Sequence, residues 1–255
     1  MLKKSLRKRI RYFLFIFWTA VVIWMFFQMQ ATGYDDSILQ SNSSVMVENS
    51  SEYIKFIPVS ASVNSGYSSA LLFYPGALVQ AEAYAPYARQ LAEKGYPVII
   101  QKIPFRLAFT EKLKTSVFEK TVELFSSYPD SVKWVLAGHS KGGAMASDFS
   151  SIHPEEISGL LLIGTSHPRE VDLTSLDIPI TKVYGSEDGL SSVKEVEDFS
   201  VNLPEHTSFV LVEGGNHSQF GYYGIQLGSG TASISQENQQ RQLLDASLEL
   251  LLNLN

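Results

Sequence analysis

The first apolar feature of the chain is an unbroken run. From Tyr12 to Phe27 the residues YFLFIFWTAVVIWMFF carry no charge and only Thr19 as a mildly polar interruption. As a helix this run rises about 24 Å, and with its flanks it approaches the ~30 Å hydrocarbon core of a bilayer. It predicts a membrane-spanning helix over 12–31. Residues 32–52, TGYDDSILQSNSSVMVENSSE, are then rich in Ser, Asn and acid, a composition that predicts a polar linker rather than core.

From Tyr53 the pattern changes again. Apolar runs at 68–76, 96–103, 132–138, 159–164, 179–185 and 208–214 are nearly continuous in Val, Ile and Leu, as expected of strands covered on both faces. Between them lie amphipathic stretches such as AEAYAPYARQLAEKG at 81–95, with Gly95 as a stop, and EKLKTSVFEKTVELFSSY at 111–128. Alternation of this kind predicts a mostly parallel central sheet with helices on both faces, an α/β fold. Ligands in such sheets gather beyond the carboxyl ends of the strands. Several of the runs end there in a glycine, at Gly76, Gly138, Gly164, Gly185 and Gly214.

Charge sharpens the division. Six of the 20 basic residues precede position 31 with no acid among them, leaving 14 basic against 26 acidic residues beyond, a net −12. So acidic a body is a poor partner for nucleic acid. The basic residues before the apolar run are expected on the cytoplasmic side, with the rest exported. Cleavage after Met29-Gln30-Ala31 is the competing expectation and would give a secreted protein, although the first position of that site is large. The chain has no cysteine, which excludes disulfides and thiolate chemistry. No paired histidines or clustered carboxylates occur at ligand spacing, so no metal or cofactor is expected.

Against that framework Gly138-His139-Ser140-Lys141-Gly142 matches G-x-S-x-G. Alone the match is weak. Here it directly follows VKWVLA and precedes a helix-forming run, the strand-turn-helix setting a nucleophile elbow requires. A serine needs a base and an orienting carboxylate. His217, in EGGNHSQFGYYG after the last strand-like run, stands at the expected edge; His153 and His206 fall toward the opposite edge, and His167 is the main competitor. Asp188, in YGSEDGL after another strand, is favoured over Glu187 because Asp-Gly makes the turn; Asp172 and Asp177 read as loop carboxylates. Backbone amides of Lys141 and of Ala77, in FYPGALVQ, are the expected oxyanion donors. Lys141 itself, a cation at a helix start, either pairs with an acid in solvent or attracts an anionic substrate group.

On FYPGALV, GHSKGGAMA, YGSEDG and GGNHSQFGYYG, residues 68–240 resemble the α/β-hydrolase superfamily, specifically its small, lidless bacterial branch related to dienelactone hydrolases. That branch uses a cysteine nucleophile, and the serine here points to ester hydrolysis instead. Only about fifteen residues separate GLLLIG from PITKVYG, too few for a lid domain. The resemblance implies a triad of Ser140, Asp188 and His217. With the apolar run, its basic flank and the polar stretch after it, the expected division is 1–11 basic cytoplasmic segment, 12–31 signal-anchor helix, 32–52 linker and 53–255 α/β-hydrolase domain. The expected function is a membrane-anchored extracytoplasmic esterase acting on a small-molecule ester. A non-catalytic binding module, or another acyl-transfer class (thioesterase, peptidase or transferase), is the alternative.

Overall fold

A computed structural model describes residues 2–59 and 68–254, with side chains from residue 6 onward; the side chains of Lys3 and Lys4 in the basic segment therefore lie outside the described residues. Eight strands form one sheet: β1 (Val45–Asn49), β2 (Tyr53–Pro58), β3 (Ser69–Tyr74), β4 (Val98–Gln101), β5 (Lys133–His139), β6 (Gly159–Ile163), β7 (Ile180–Gly185) and β8 (Ser208–Val212). Their order is β1-β2-β4-β3-β5-β6-β7-β8. The first two pairings, β1 with β2 and β2 with β4, are antiparallel, and all the others are parallel. Each of the six predicted runs supplies one of the strands β3 to β8.

Helix α1 (Leu2–Gln28) precedes the sheet, and α2 (Ala85–Glu93), α3 (Glu111–Ser126), α4 (Lys141–Ile152), α5 (Val193–Asp198) and α6 (Gln236–Leu252) cover both of its faces. Local signals place their ends. Gly95, at φ 98°, follows the end of α2. Thr110 caps α3 by accepting from Leu113 N, and Ser235 caps α6 by accepting from Asn238 N, each satisfying an amide with no partner inside the helix.

The pleat of β3 sends Leu71 and Phe73 to a core shared with α2 and α6. It sends Ala70, Leu72 and Tyr74 to a second core shared with α3 and α4. Burial on both faces is why these strands are continuously apolar. Each fully buried Leu or Phe contributes roughly 1.5–3 kcal/mol.

Two segments depart from expectation. The linker expected at 32–52 instead holds a 3-10 turn at Asp36–Leu39 and strand β1. At this antiparallel edge only Val45 of β1 is buried, and β2 buries alternate residues, Ile54, Phe56 and Pro58. A half-exposed edge strand carries too few apolar residues to stand out by composition. The helix expected at 12–31 ends sooner, at Gln28; beyond it Met29 is buried in the core and Ala31 bridges to Tyr223. Within α1 the stretch Leu6–Gln28 has a mean hydropathy of 2.0 and its apolar side chains are exposed. Twenty-three residues rise ~35 Å, long enough to cross a bilayer.

The chain leaves β3 for β4 on one side and returns to β5 on the other. β3 and β5 are neighbours, with Tyr74 opposite Gly138. This reversal opens a crevice at their carboxyl ends, where ligands bind in open α/β sheets.

Candidate active site

Ser140 stands at that crevice, between β5 and α4. Its backbone has φ 54° and ψ −118°, a conformation that costs of order 1–3 kcal/mol in a non-glycine residue. The turn is held by Ser140 N donating to Ile163 O at 2.9 Å and by two close approaches. A Cβ on Gly138 would lie 2.3 Å from Gly142 O, and one on Gly142 would lie 2.1 Å from Tyr74 O. Only glycine fits at either place, and the second contact seats the start of α4 against the loop after β3.

His217 lies in the loop after β8. Its Nε2 is 2.9 Å from Ser140 Oγ, and its Nδ1 is 2.8 Å from Asp188 Oδ2. The other carboxylate oxygen of Asp188 accepts from the amides of Leu190 and Ser191, each at 2.8 Å. A carboxylate only accepts, so Nδ1 carries the proton and the Nε2 lone pair faces the serine hydroxyl. Asp188 and His217 are buried, whereas Ser140 is partly exposed. The fold thus brings the three residues expected from the sequence into one hydrogen-bonded row; Glu187 is not in it.

The supports of this row come from outside the motifs. Buried Gln239 on α6 accepts from Asn216 N and donates to Asn216 O, clamping the histidine loop. His217 N donates to Ser229 O. The segment at 228–230 also packs on the acid loop: a Cβ on Gly230, at φ 79°, would lie 1.7 Å from Glu187 O, and one on Gly189 would lie 2.4 Å from Gly228 O. One glycine-rich stretch therefore ties the acid and base loops together. Beneath His217 lies His139, its ring centroid 4.7 Å away. His139 Nδ1 is 2.8 Å from the Tyr84 hydroxyl, which accepts from Gly76 N. Burial, reinforced by His217, lowers the His139 pKa well below its usual value, so the ring is neutral and adds no charge under its neighbour. His139 and Tyr84 were not singled out from sequence. The only trace was a histidine inside the G-x-S-x-G match, and Tyr84 left none.

Ala77 lies in the loop after β3, and Lys141, at the start of α4, lines the cleft. Gly76 N is bound to Tyr84 and Leu78 N donates to Arg106 O at 2.7 Å. Between these satisfied amides, Ala77 N has no acceptor among the described residues, and neither has Lys141 N at the first position of α4. An amide left free in this way is what a developing oxyanion needs as a donor.

The cleft over Ser140 is a shallow recess of about 200 Å³, lined by Lys141, Thr165, His167, Arg169, Leu190 and His217 among others. This is below the ~300–1,000 Å³ of typical small-molecule pockets. Arg169 is paired with Glu195 at 2.9 Å. Lys141 makes no ion pair among the described residues. Buried Lys182 donates to His167 O at 2.5 Å, and burial together with Arg169 pushes it down to about 7.

His167, the competing base, shares the cleft but makes no hydrogen bond to Ser140 among the described residues. Burial, then Arg169 and Lys141, lower its pKa from 6.5 to about 4. The folded state holds it neutral while the unfolded chain binds a proton between those values, so its contribution to stability is lost as pH falls from 6.5 through 4. His167→Gln should therefore flatten the fall in melting temperature over that window. It should leave ester turnover within roughly threefold; a loss like that of His217→Ala would make His167 the base.

His153 caps the far end of α4, and His206 Nε2 is 3.0 Å from Ile178 O; neither reaches the cleft.

The fold has many solved counterparts. A protein from Thermoplasma acidophilum assigned as a CIB-like hydrolase is 15% identical with a TM-score of 0.60, covering 82% of this chain and 100% of its own. A soluble variant of monoglyceride lipase from Saccharomyces cerevisiae is 14% identical with a TM-score of 0.60, covering 88% and 100%. A Klebsiella pneumoniae protein assigned as a dienelactone hydrolase is 13% identical with a TM-score of 0.59, covering 82% and 99%. At such identities the likeness is one of fold. No curated protein sequence matches the chain. The sequence model described as Alpha/beta hydrolase family matches residues 70–241, from β3 into α6, which takes in the elbow and the loops of both its partners. By that match this chain belongs to the alpha/beta hydrolase family.

Proposed function

We propose that the chain is a membrane-anchored, extracytoplasmic serine hydrolase that cleaves small carboxylic esters. The observation that carries this reading is the row from Ser140 Oγ through His217 to Asp188, with spacings of 2.9 and 2.8 Å. As Ser140 Oγ attacks the ester carbonyl, His217 Nε2 takes its proton. The new oxyanion is received by the amides of Ala77 and Lys141. His217 then protonates the departing alkoxide, leaving an acyl group on Ser140. Water repeats the sequence with His217 as base and releases the acid. Asp188 stays ionised and stabilises the imidazolium.

The anchor is α1. Apolar on all sides from Tyr12 to Phe27 and exposed, it resembles a membrane span more than a helix of a soluble core. Its seamless entry into the body, with Met29 buried, favours retention over cleavage at Ala31.

A fluorophosphonate probe tests the chemistry on the full chain. It should modify Ser140 alone, located by peptide mapping; absence of labelling on folded protein would favour a non-catalytic module.

Substrate charge is a second expectation. In a body that carries −12, the formally charged side chains lining the cleft besides the histidines are basic, Lys141 and Arg169. Arg169 is already paired, so Lys141 supplies the free charge. Lys141→Leu should lower the rate ratio of anionic to neutral short-chain esters by roughly three- to tenfold, measured as kcat/KM. An unchanged ratio would leave this lysine a solvated surface residue.

A further inference from the structure

The last turn of α1 and the residues after it are fastened to the body at the edge of the sheet where Ser140 stands. Gln28 O accepts from Gly224 N at 2.7 Å, and Gln28 Oε1 accepts from Ile225 N at 2.8 Å. Met29 O accepts from Gln80 N, and Thr32 N donates to Tyr222 O, each at 2.9 Å. On the other side Arg106 donates to Gln30 Oε1 at 3.2 Å and lies 5.0 Å over the ring of Phe26.

Two loops thus flank the point where α1 meets the body. Both carry large apolar side chains turned to the outside. Phe105 is 77% exposed and Phe109 63%; Ile225 is 67% exposed and Leu227 54%. Phe105 and Arg106 both hold φ 55°, a left-handed conformation that bulky residues rarely keep without a functional reason. Phe26 and Phe27 at the end of α1 are themselves exposed, so the apolar surface of the helix runs on into these loops.

Resting on the reading of α1 as a membrane span, we propose that Phe105, Phe109, Ile225 and Leu227 form a contact surface seated in the interfacial layer of the bilayer that α1 crosses. The continuity of apolar surface identifies that layer as the occupant. Arg106, between the two phenylalanines, places a cation at the level where amphipathic and basic groups favour the interface. The loop of Ala77 is joined to the same patch through Leu78 N and Arg106 O. The loop after β3 therefore lies beside the lipid surface.

A cysteine-free chain makes the test direct. Phe105→Cys, Phe109→Cys, Ile225→Cys and Leu227→Cys are made singly in the full chain, labelled with bimane, and reconstituted into phosphatidylcholine vesicles with or without acyl-chain bromination. Bromolipid should quench these labels about as strongly as one at Phe27→Cys. Labels at Ile152→Cys and Val201→Cys, on the opposite edge, should be unaffected. If Phe15→Cys is quenched and the four rim labels are not, α1 is in the membrane and the contact surface is refuted. Rim labels with blue-shifted emission but no quenching would refute it too, in favour of cover by protein. No quenching at Phe15→Cys would overturn the membrane reading itself, and the contact surface with it.

Discussion

Ser140→Ala should lower kcat for a short-chain ester by roughly 10⁵- to 10⁶-fold while leaving the fold intact. The hydroxyl is the nucleophile in the proposed reaction, and no other hydroxyl stands within reach of His217 Nε2 among the described hydrogen bonds. The loss should stop short of the uncatalysed rate, because the amides of Ala77 and Lys141 remain in place; about 10³-fold acceleration over water is a reasonable residue. Adding His217→Ala should then cost little more, since the two act as one unit. Steady-state kinetics of the single and double variants, with circular dichroism as the control for folding, decide the matter. Additive losses, or turnover above a tenth of normal in Ser140→Ala, would exclude this serine as nucleophile.

The second large effect is expected at Asp188→Asn, with kcat down about 10⁴-fold and KM nearly unchanged. The amides of Leu190 and Ser191 both donate to Oδ1, so the asparagine oxygen will occupy that position and its NH₂ will turn toward His217. His217 Nδ1 must then accept, which moves the ring proton to Nε2 and points a donor at Ser140. Geometry survives and the base is lost. Nitrogen NMR of the imidazole reports the tautomer independently of rate. Glu187→Gln is the control, because that carboxylate makes no contact with the histidine, and a larger loss there than at Asp188 would reassign the acid.

How far the sequence disclosed these features depended on what holds each one. Strands β3 to β8 are buried on both faces, so every position had to be apolar and the runs stood out. β1 and β2 lie at an antiparallel edge; VMVEN buries one residue in five, and its polarity led to the expectation of a linker. The three residues of the Ser140–His217–Asp188 row were legible because each sits at a strand end in a turn whose glycines are demanded by close contact or by a positive φ. Tyr84 and His139 were not, since their meeting joins residues 55 apart and follows from packing rather than from local pattern. The stretch from Gly224 to Gly230 was mute for a different reason. Its hold on the acid and histidine loops is mainly through main-chain atoms, and main-chain atoms are the same in every sequence.

That stretch also bears on how loss-of-function variants of this chain will be read. Gly230 has no functional group, yet any side chain there meets Glu187 O at 1.7 Å and must displace the acid loop, the histidine loop or both. A saturation screen for inactive clones should therefore return Gly230 beside Ser140 and His217. Its variants should lose activity by misalignment, with the nucleophile still present, and should regain some of it at lower temperature where Ser140 variants cannot.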